Sequence, residues 1–190
     1  MKAEQVIGVV GMSTMTVRPG DTSVAQGIND LPVVASNNIL NLMESACSTS
    51  IIEFLDFGET TITENFKLEL LGAVGVGSEI HATARCLSFE NNLLVFEAEV
   101  HQNARLIATG QITRKFVERS ELVKHHLWVL WTDYFKPNHF EAYPQLHVLF
   151  NEATKLAGAG GSKGTTDVAV ADKLIAKIDE IAEIFWATKK

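Results

Sequence analysis

The residue in this chain best suited to chemistry is Glu44. It sits in the middle of residues 30–57, DLPVVASNNILNLMESACSTSIIEFLDF, where Ile39, Leu42, Met43, Ala46, Cys47, Ile51 and Leu55 recur at i, i+3, i+4 spacing. That rhythm is one face of a helix. A carboxylate placed inside such an element is costly unless it finds partners. One held there can take a proton as a general base or attack an electrophile directly. Eight residues earlier, the Ser36 hydroxyl is a good N-cap. Free backbone N–H groups over Asn37, Asn38 and Ile39 could stabilise an oxyanion at the helix start. At 1.5 Å per residue, Ser36 and Glu44 lie about 12 Å apart along one helix. The two converge only through a bend in the lead-in or a second subunit.

The elements that must position these groups read as α+β. Residues 5–17 are a first strand, and Gly58 is a natural stop for the helix. Residues 61–71, 78–87, 92–101 and 104–117 are four further strands, the middle two with clean alternation of apolar and polar side chains. Short links at Glu90-Asn91-Asn92 and Gln102-Asn103 make the last three an antiparallel meander. A curved antiparallel sheet wrapped around the helix is the economical packing.

Composition narrows the function. A net charge of −7 with no long basic run argues against nucleic acid or an anionic membrane as the main partner. No apolar segment reaches the length of a membrane span. Cys47 and Cys86 fall at apolar positions and read as small buried hydrophobes of a reducing compartment, so a cytoplasmic protein is expected. His81 and His101 fall on the polar sides of their strands, and His125, His126, His139 and His147 lack the spacing of a metal site, so no metal is expected.

The stretch VRPGDTSVAQGINDLPVVASNNILNLMESAC, followed by KLELLGAVGVGSEIHATARC, resembles the small hotdog-fold acyl-CoA thioesterases of the fluoroacetyl-CoA thioesterase-like family, over roughly residues 6–119. The resemblance implies a hotdog fold, a homodimer with active sites at the subunit interface, and an acyl-CoA as the small-molecule partner, with no separate cofactor. It also implies three functional positions. A Thr before the helix matches Ser36, and a Glu inside it matches Glu44. The third, a His on the next strand, falls on Leu70. Glu44 and Ser36 are then the catalytic candidates, with Asn37, Asn38, Leu70 and Gly72 as substrate-binding candidates. Gly72, Gly75 and Gly77 suit either a strand bend or the close approach of a pantetheine arm. Arg85, Arg105, Arg114 and Lys115 are the cations available to a CoA phosphate, although strand cations are ordinarily a solvated face.

Beyond the hotdog domain (1–119), the sequence divides into an aromatic-rich helical extension (120–160), a Gly-rich linker (161–166) and an amphipathic C-terminal helix (167–190) capped by Asp167. The stripe of that helix is expected at Ala171, Leu174, Ile175, Ile178, Ile181 or Ala182, and Phe185. Covering the sheet, deepening an interface and lidding an acyl pocket are all roles open to the extension. Two functions stand side by side. One is hydrolysis of an acyl-CoA to acid and CoA with an altered catalytic set. The other is a non-catalytic hotdog protein that binds acyl-CoA or a related ligand, or an interaction module using the C-terminal helix.

Overall fold

The structure is a computed structural model that describes residues 5–158, 165 and 167–189. The Gly-rich linker expected at 161–166 lies outside the described residues except for Thr165. The chain forms two compact units, one of Met1–Asp56 with Thr61–Phe116, the other of Phe57–Thr60 with Val117–Lys190.

The first unit contains β1 (Val10–Thr16), helix α1 (Ser36–Ile51), β2 (Glu59–Leu70), β3 (Glu79–Glu90), β4 (Leu93–Gln102) and β5 (Arg105–Glu118), except that the first two residues of β2 and the last two of β5 fall in the second. The five strands form one sheet in the order β1-β3-β4-β5-β2. β3, β4 and β5 are the expected antiparallel meander, and β1 pairs antiparallel with β3. Asn91 and Asn92 both take positive φ, 52° and 64°, between the paired Glu90 and Leu93. A two-residue hairpin needs that left-handed pair, and asparagine tolerates it better than most residues. Asn103, with φ 54°, does the same for the next turn.

One face of the sheet is apolar because the strands alternate: Ile80, Ala82, Ala84 and Cys86 on β3 face the same way as Leu94, Phe96, Ala98 and Val100 on β4, and all are buried. Helix α1 lays Ile39, Leu42, Met43, Ala46, Cys47 and Ile51 on that core. Full burial of a side chain such as Met43 or Phe96 contributes about 1.5–3 kcal/mol. The helix ends earlier than its apolar spacing suggests, at Ile51, and a single 3₁₀ turn (Ile52–Phe54) follows. Leu55 is outside it, and Gly58, at φ 88°, serves the turn into β2 rather than the helix end. The N-cap is Ala35 and not Ser36, which is the first helical residue and is exposed. The lead-in explains the shift, because the Ala35 carbonyl already accepts from the Asn38 and Ile39 amides.

The second unit holds α2 (Arg119–Val129), which widens into a π turn (Leu130–Tyr134), then α3 (Pro137–Ala142), α4 (Leu146–Ala157) and α5 (Val168–Thr188). Pro137 opens α3, where its missing N–H does no harm. Leu127, Phe135, Leu149, Phe150, Leu174 and Ile181 belong to one buried cluster, and the Trp131 ring stacks on Phe150 at 5.5 Å. Asp167 Oδ1 accepts from the Ala169 amide at 2.9 Å, the expected cap. The stripe of α5 runs through Leu174, Ile178, Ile181, Ile184 and Phe185, whereas Ala171 is exposed and Ile175 is 55% exposed. Ile175 follows Leu174 by one residue and so points about 100° away from it. No helix among the described residues is long and apolar enough to cross a membrane.

Helix α1 lies so close to β1 that a Cβ on Gly11 would overlap the Ala46 carbonyl oxygen and come within 2.5 Å of the Ser50 amide nitrogen. Backbone atoms cannot swing aside as a flexible side chain can. Gly11→Ala should therefore lower stability by about 1–3 kcal/mol, the cost of overpacking a tight interior. A urea midpoint unchanged by the substitution would contradict this packing.

Candidate active site

Glu44 sits two turns into α1, at the border between the buried stripe and solvent, with its side chain 29% exposed. Two strand residues meet it. The Thr63 hydroxyl on β2 donates to Glu44 Oε1, and Arg114 Nη1 on β5 lies 3.8 Å from the same oxygen. Both contacts fall on Oε1, and no hydrogen bond or ion pair to a described residue engages Oε2.

Arg114 is not part of a solvated face. It is 8% exposed, because Ala108, Gly110, Ile112 and Arg114 alternate along the helix-facing side of β5. Its guanidinium is held on three sides. Nε donates to Thr61 Oγ1 at 2.9 Å, Nη2 to the Thr61 carbonyl at 3.1 Å and Nη1 to Thr63 Oγ1 at 3.2 Å. Isolated burial of a guanidinium would cost several kcal/mol, and these acceptors with the Glu44 carboxylate offset it. Strand parity could have revealed Arg114 from the sequence, since it shares the parity of Ile112. Thr61 and Thr63 carry no such signal, since threonine is an ordinary strand residue.

Cys47, one turn after Glu44 in α1, is fully buried, and its thiol is pushed up to about 12. Burial is the main cause. Arg114 pulls the other way, and Glu44 adds to the rise. Cys86 is raised as well, chiefly by burial. Neither is a nucleophile at neutral pH, because the thiolate is the reactive form.

The remaining sequence candidates do not gather around Glu44 within one subunit. Ser36 and Asn37 are exposed at the helix start, about 12 Å from Glu44 by helix rise. Asn38 Nδ2 donates to the Asp21 carbonyl at 2.8 Å, fastening the lead-in loop. The Asn38 and Ile39 amides are engaged by Ala35, so Asn37 supplies the amide of the three that is not so engaged. Leu70 is 50% exposed at the end of β2. Gly72 donates its amide to the Ile107 carbonyl at 3.0 Å, and the Arg105 guanidinium fills the space where its side chain would be. On the opposite face of the sheet, His81 and His101 are half-buried rather than free in solvent, their rings stacked with centroids 5.6 Å apart.

Two families of known proteins match overlapping parts of the chain. Residues 16–120 match the family of fluoroacetyl-CoA-specific thioesterases, and residues 77–189 match the nickel-containing superoxide dismutases, each span being more than half of the chain. The fluoroacetyl-CoA thioesterase FlK, in a mutant complex with fluoroacetate, has a TM-score of 0.57 at 21% identity, over 61% of this chain and 92% of that one. A Thermus thermophilus hypothetical protein of the thioesterase superfamily gives 0.59 at 22% identity, over 66% and 94%. A hot-dog-like protein from Thermanaerovibrio acidaminovorans gives 0.58 at 17%, over 64% and 90%. These likenesses show the fold, which is the hotdog. The nickel superoxide dismutases of Streptomyces seoulensis and Streptomyces coelicolor are 56% and 52% identical to this chain over 73 residues. That stretch is 38% of this chain and 54% of each relative, so the chain spans about half the length of the curated relatives it matches.

The second family's name implies nickel, and the donors here do not fit it. Among the described residues no three His, Cys, Asp or Glu side chains come together where they could hold a metal ion. Residues 117–190 contain no cysteine, and both thiols of the first unit are buried and protonated. Ligands must be deprotonated to bind. His125 and His126 are exposed with ring centroids 5.8 Å apart, and the other two histidines of the helical unit are engaged. His139 Nδ1 accepts from the Lys136 amide at 3.2 Å. His147 Nδ1 accepts from Trp131 Nε1 at 3.1 Å, with its ring stacked on Phe140 at 4.1 Å.

Purified with nickel in the medium and then desalted, the chain should carry far less than one nickel per polypeptide by elemental analysis. A stoichiometric content that survives desalting would contradict the donor reading. By residues 16–120 the chain belongs to the fluoroacetyl-CoA-specific thioesterase family, and by residues 77–189 to the nickel-containing superoxide dismutase family.

Proposed function

We propose that this chain hydrolyses an acyl-CoA thioester to the free acid and CoA, with Glu44 as general base. The observation that carries the reading is the Glu44 carboxylate itself, partly exposed and anchored through Oε1 by Thr63 and Arg114, while no hydrogen bond or ion pair to a described residue engages Oε2. Oε2 accepts a proton from a water whose oxygen attacks the thioester carbonyl. The carbonyl oxygen takes up the negative charge, and its collapse breaks the C–S bond and releases CoA as the thiolate, which then gains a proton. Backbone amides suit the oxyanion, and Asn37 offers one at the start of α1.

Ser36 and Asn37 are too far along the helix to serve the Glu44 of their own subunit. In this reading they act on the site of a partner copy, with Asn38, Leu70 and Gly72 lining the substrate path. A homodimer also suits β2, an edge strand with Ile62, Phe66 and Leu70 exposed at 41%, 49% and 50% on one face. Buried free thiols suit a reducing cytoplasm.

A second reading is favoured by one residue. Leu70 stands where the family resemblance implies a histidine, and a hydrocarbon side chain moves no proton. On that reading the unit binds acyl-CoA without turning it over.

Thiol release from short, aromatic and long acyl-CoA esters separates the two. Glu44→Gln keeps an acceptor for Thr63 while removing the base, and should lower kcat/KM by about 10²–10⁴-fold. Absence of turnover in the unaltered protein, with CoA esters still raising Tm, would favour the binding reading and sink hydrolysis.

A further inference from the structure

We propose that Thr63 and Arg114 are positioning residues for Glu44, with the hydrogen-bonded route from Arg114 running through the Thr63 hydroxyl. This rests on the hydrolase reading above. A guanidinium has donors and no acceptor. Arg114 Nη1 lies 3.2 Å from Thr63 Oγ1 and 3.8 Å from Glu44 Oε1, so its hydrogen bond is to the threonine and only its field reaches the carboxylate. Thr63 Oγ1 therefore accepts from Arg114. The hydroxyl has a single proton, and that proton goes to Glu44 Oε1.

The direction of the chain, Arg114 to Thr63 to Glu44, is thus fixed by chemistry rather than by chance. Its origin is fixed as well. Thr61 gives both its hydroxyl and its carbonyl to Arg114, and Arg114 and Thr61 are each 8% exposed, so the guanidinium cannot turn away to solvent. A hydroxyl held from behind by a charged donor is a stronger and better-aimed donor than a free threonine.

The consequence falls on the other carboxylate oxygen. With Oε1 tied to β2, rotation of the Glu44 carboxylate is restricted, and Oε2 is presented in one orientation. General-base catalysis depends on such placement, because the proton acceptor must hold its distance and angle as the water attacks. Three elements meet in this device: α1 carries the base, β2 the hydroxyl and β5 the guanidinium.

Thr63→Val is near-isosteric and removes only the hydroxyl, whereas Arg114 variants risk the fold. The test compares Thr63→Val with Thr63→Ser, in steady-state turnover of an acyl-CoA that the unaltered protein hydrolyses. Thr63→Val should lower kcat by about 10–100-fold while KM moves by less than about threefold, and Thr63→Ser should recover most of that loss. An active protein in which Thr63→Val keeps its kcat would overturn the positioning role and leave the hydrolase reading intact. So would equal losses in the Val and Ser variants. An unaltered protein without turnover would overturn the hydrolase reading, and this role with it.

Discussion

A guanidinium buried beneath a helix constrains everything near it. Arg114 occupies a β5 position whose parity would ordinarily hold an aliphatic residue. Removing its charge from water is expensive, so the surrounding chain must supply acceptors in fixed places. β2 supplies three, the hydroxyl and carbonyl of Thr61 and the hydroxyl of Thr63, and α1 supplies the carboxylate. The register of β2 and the rotation of α1 are both tied to that need. The close seat of α1 on Gly11 at the other edge strand fixes the helix from its second side. Glu44 is thereby a strut of the fold as well as a candidate base, and the two roles share one set of contacts.

The helical unit follows a different logic. Its order comes from aromatic and aliphatic packing, with Trp131 on Phe150 and the Tyr134 hydroxyl bonded to Thr188. His139 and His147 serve as hydrogen-bond acceptors and stacking partners. The match to nickel-containing superoxide dismutases covers residues 77–189, and among the described residues no donor set fits the metal. The polypeptide passes from one kind of unit to the other without a loop, since β5 ends at Glu118 and α2 starts at Arg119.

Much of the architecture was legible in the sequence. Period-two alternation located β3 and β4, Asn91-Asn92 and Gln102-Asn103 located the turns after them, and the 3.6-residue period located the buried face of α1. Element ends were less legible, because they depend on contacts that no local pattern encodes. Ser36 has the chemistry of an N-cap, yet the Ala35 carbonyl had already taken the amides. Glu44 was readable as an anomaly, but its partners were not. They come from strands 19 or more residues away, and one of the two is a threonine, which advertises nothing. Arg114 was hidden by the ordinary expectation that a strand cation faces water. Periodicity reports which face a residue shares, and only tertiary contact shows whether that face is wet.

On the hydrolase reading, Thr63 and Glu44 act as one unit in turning over acyl-CoA. A double-mutant cycle on kcat, with Glu44→Gln, Thr63→Val and the pair, measures that coupling. The double variant should be no slower than Glu44→Gln alone, since a hydroxyl that aims a base has nothing to add once the base is gone. Losses that multiply across the two sites would contradict it.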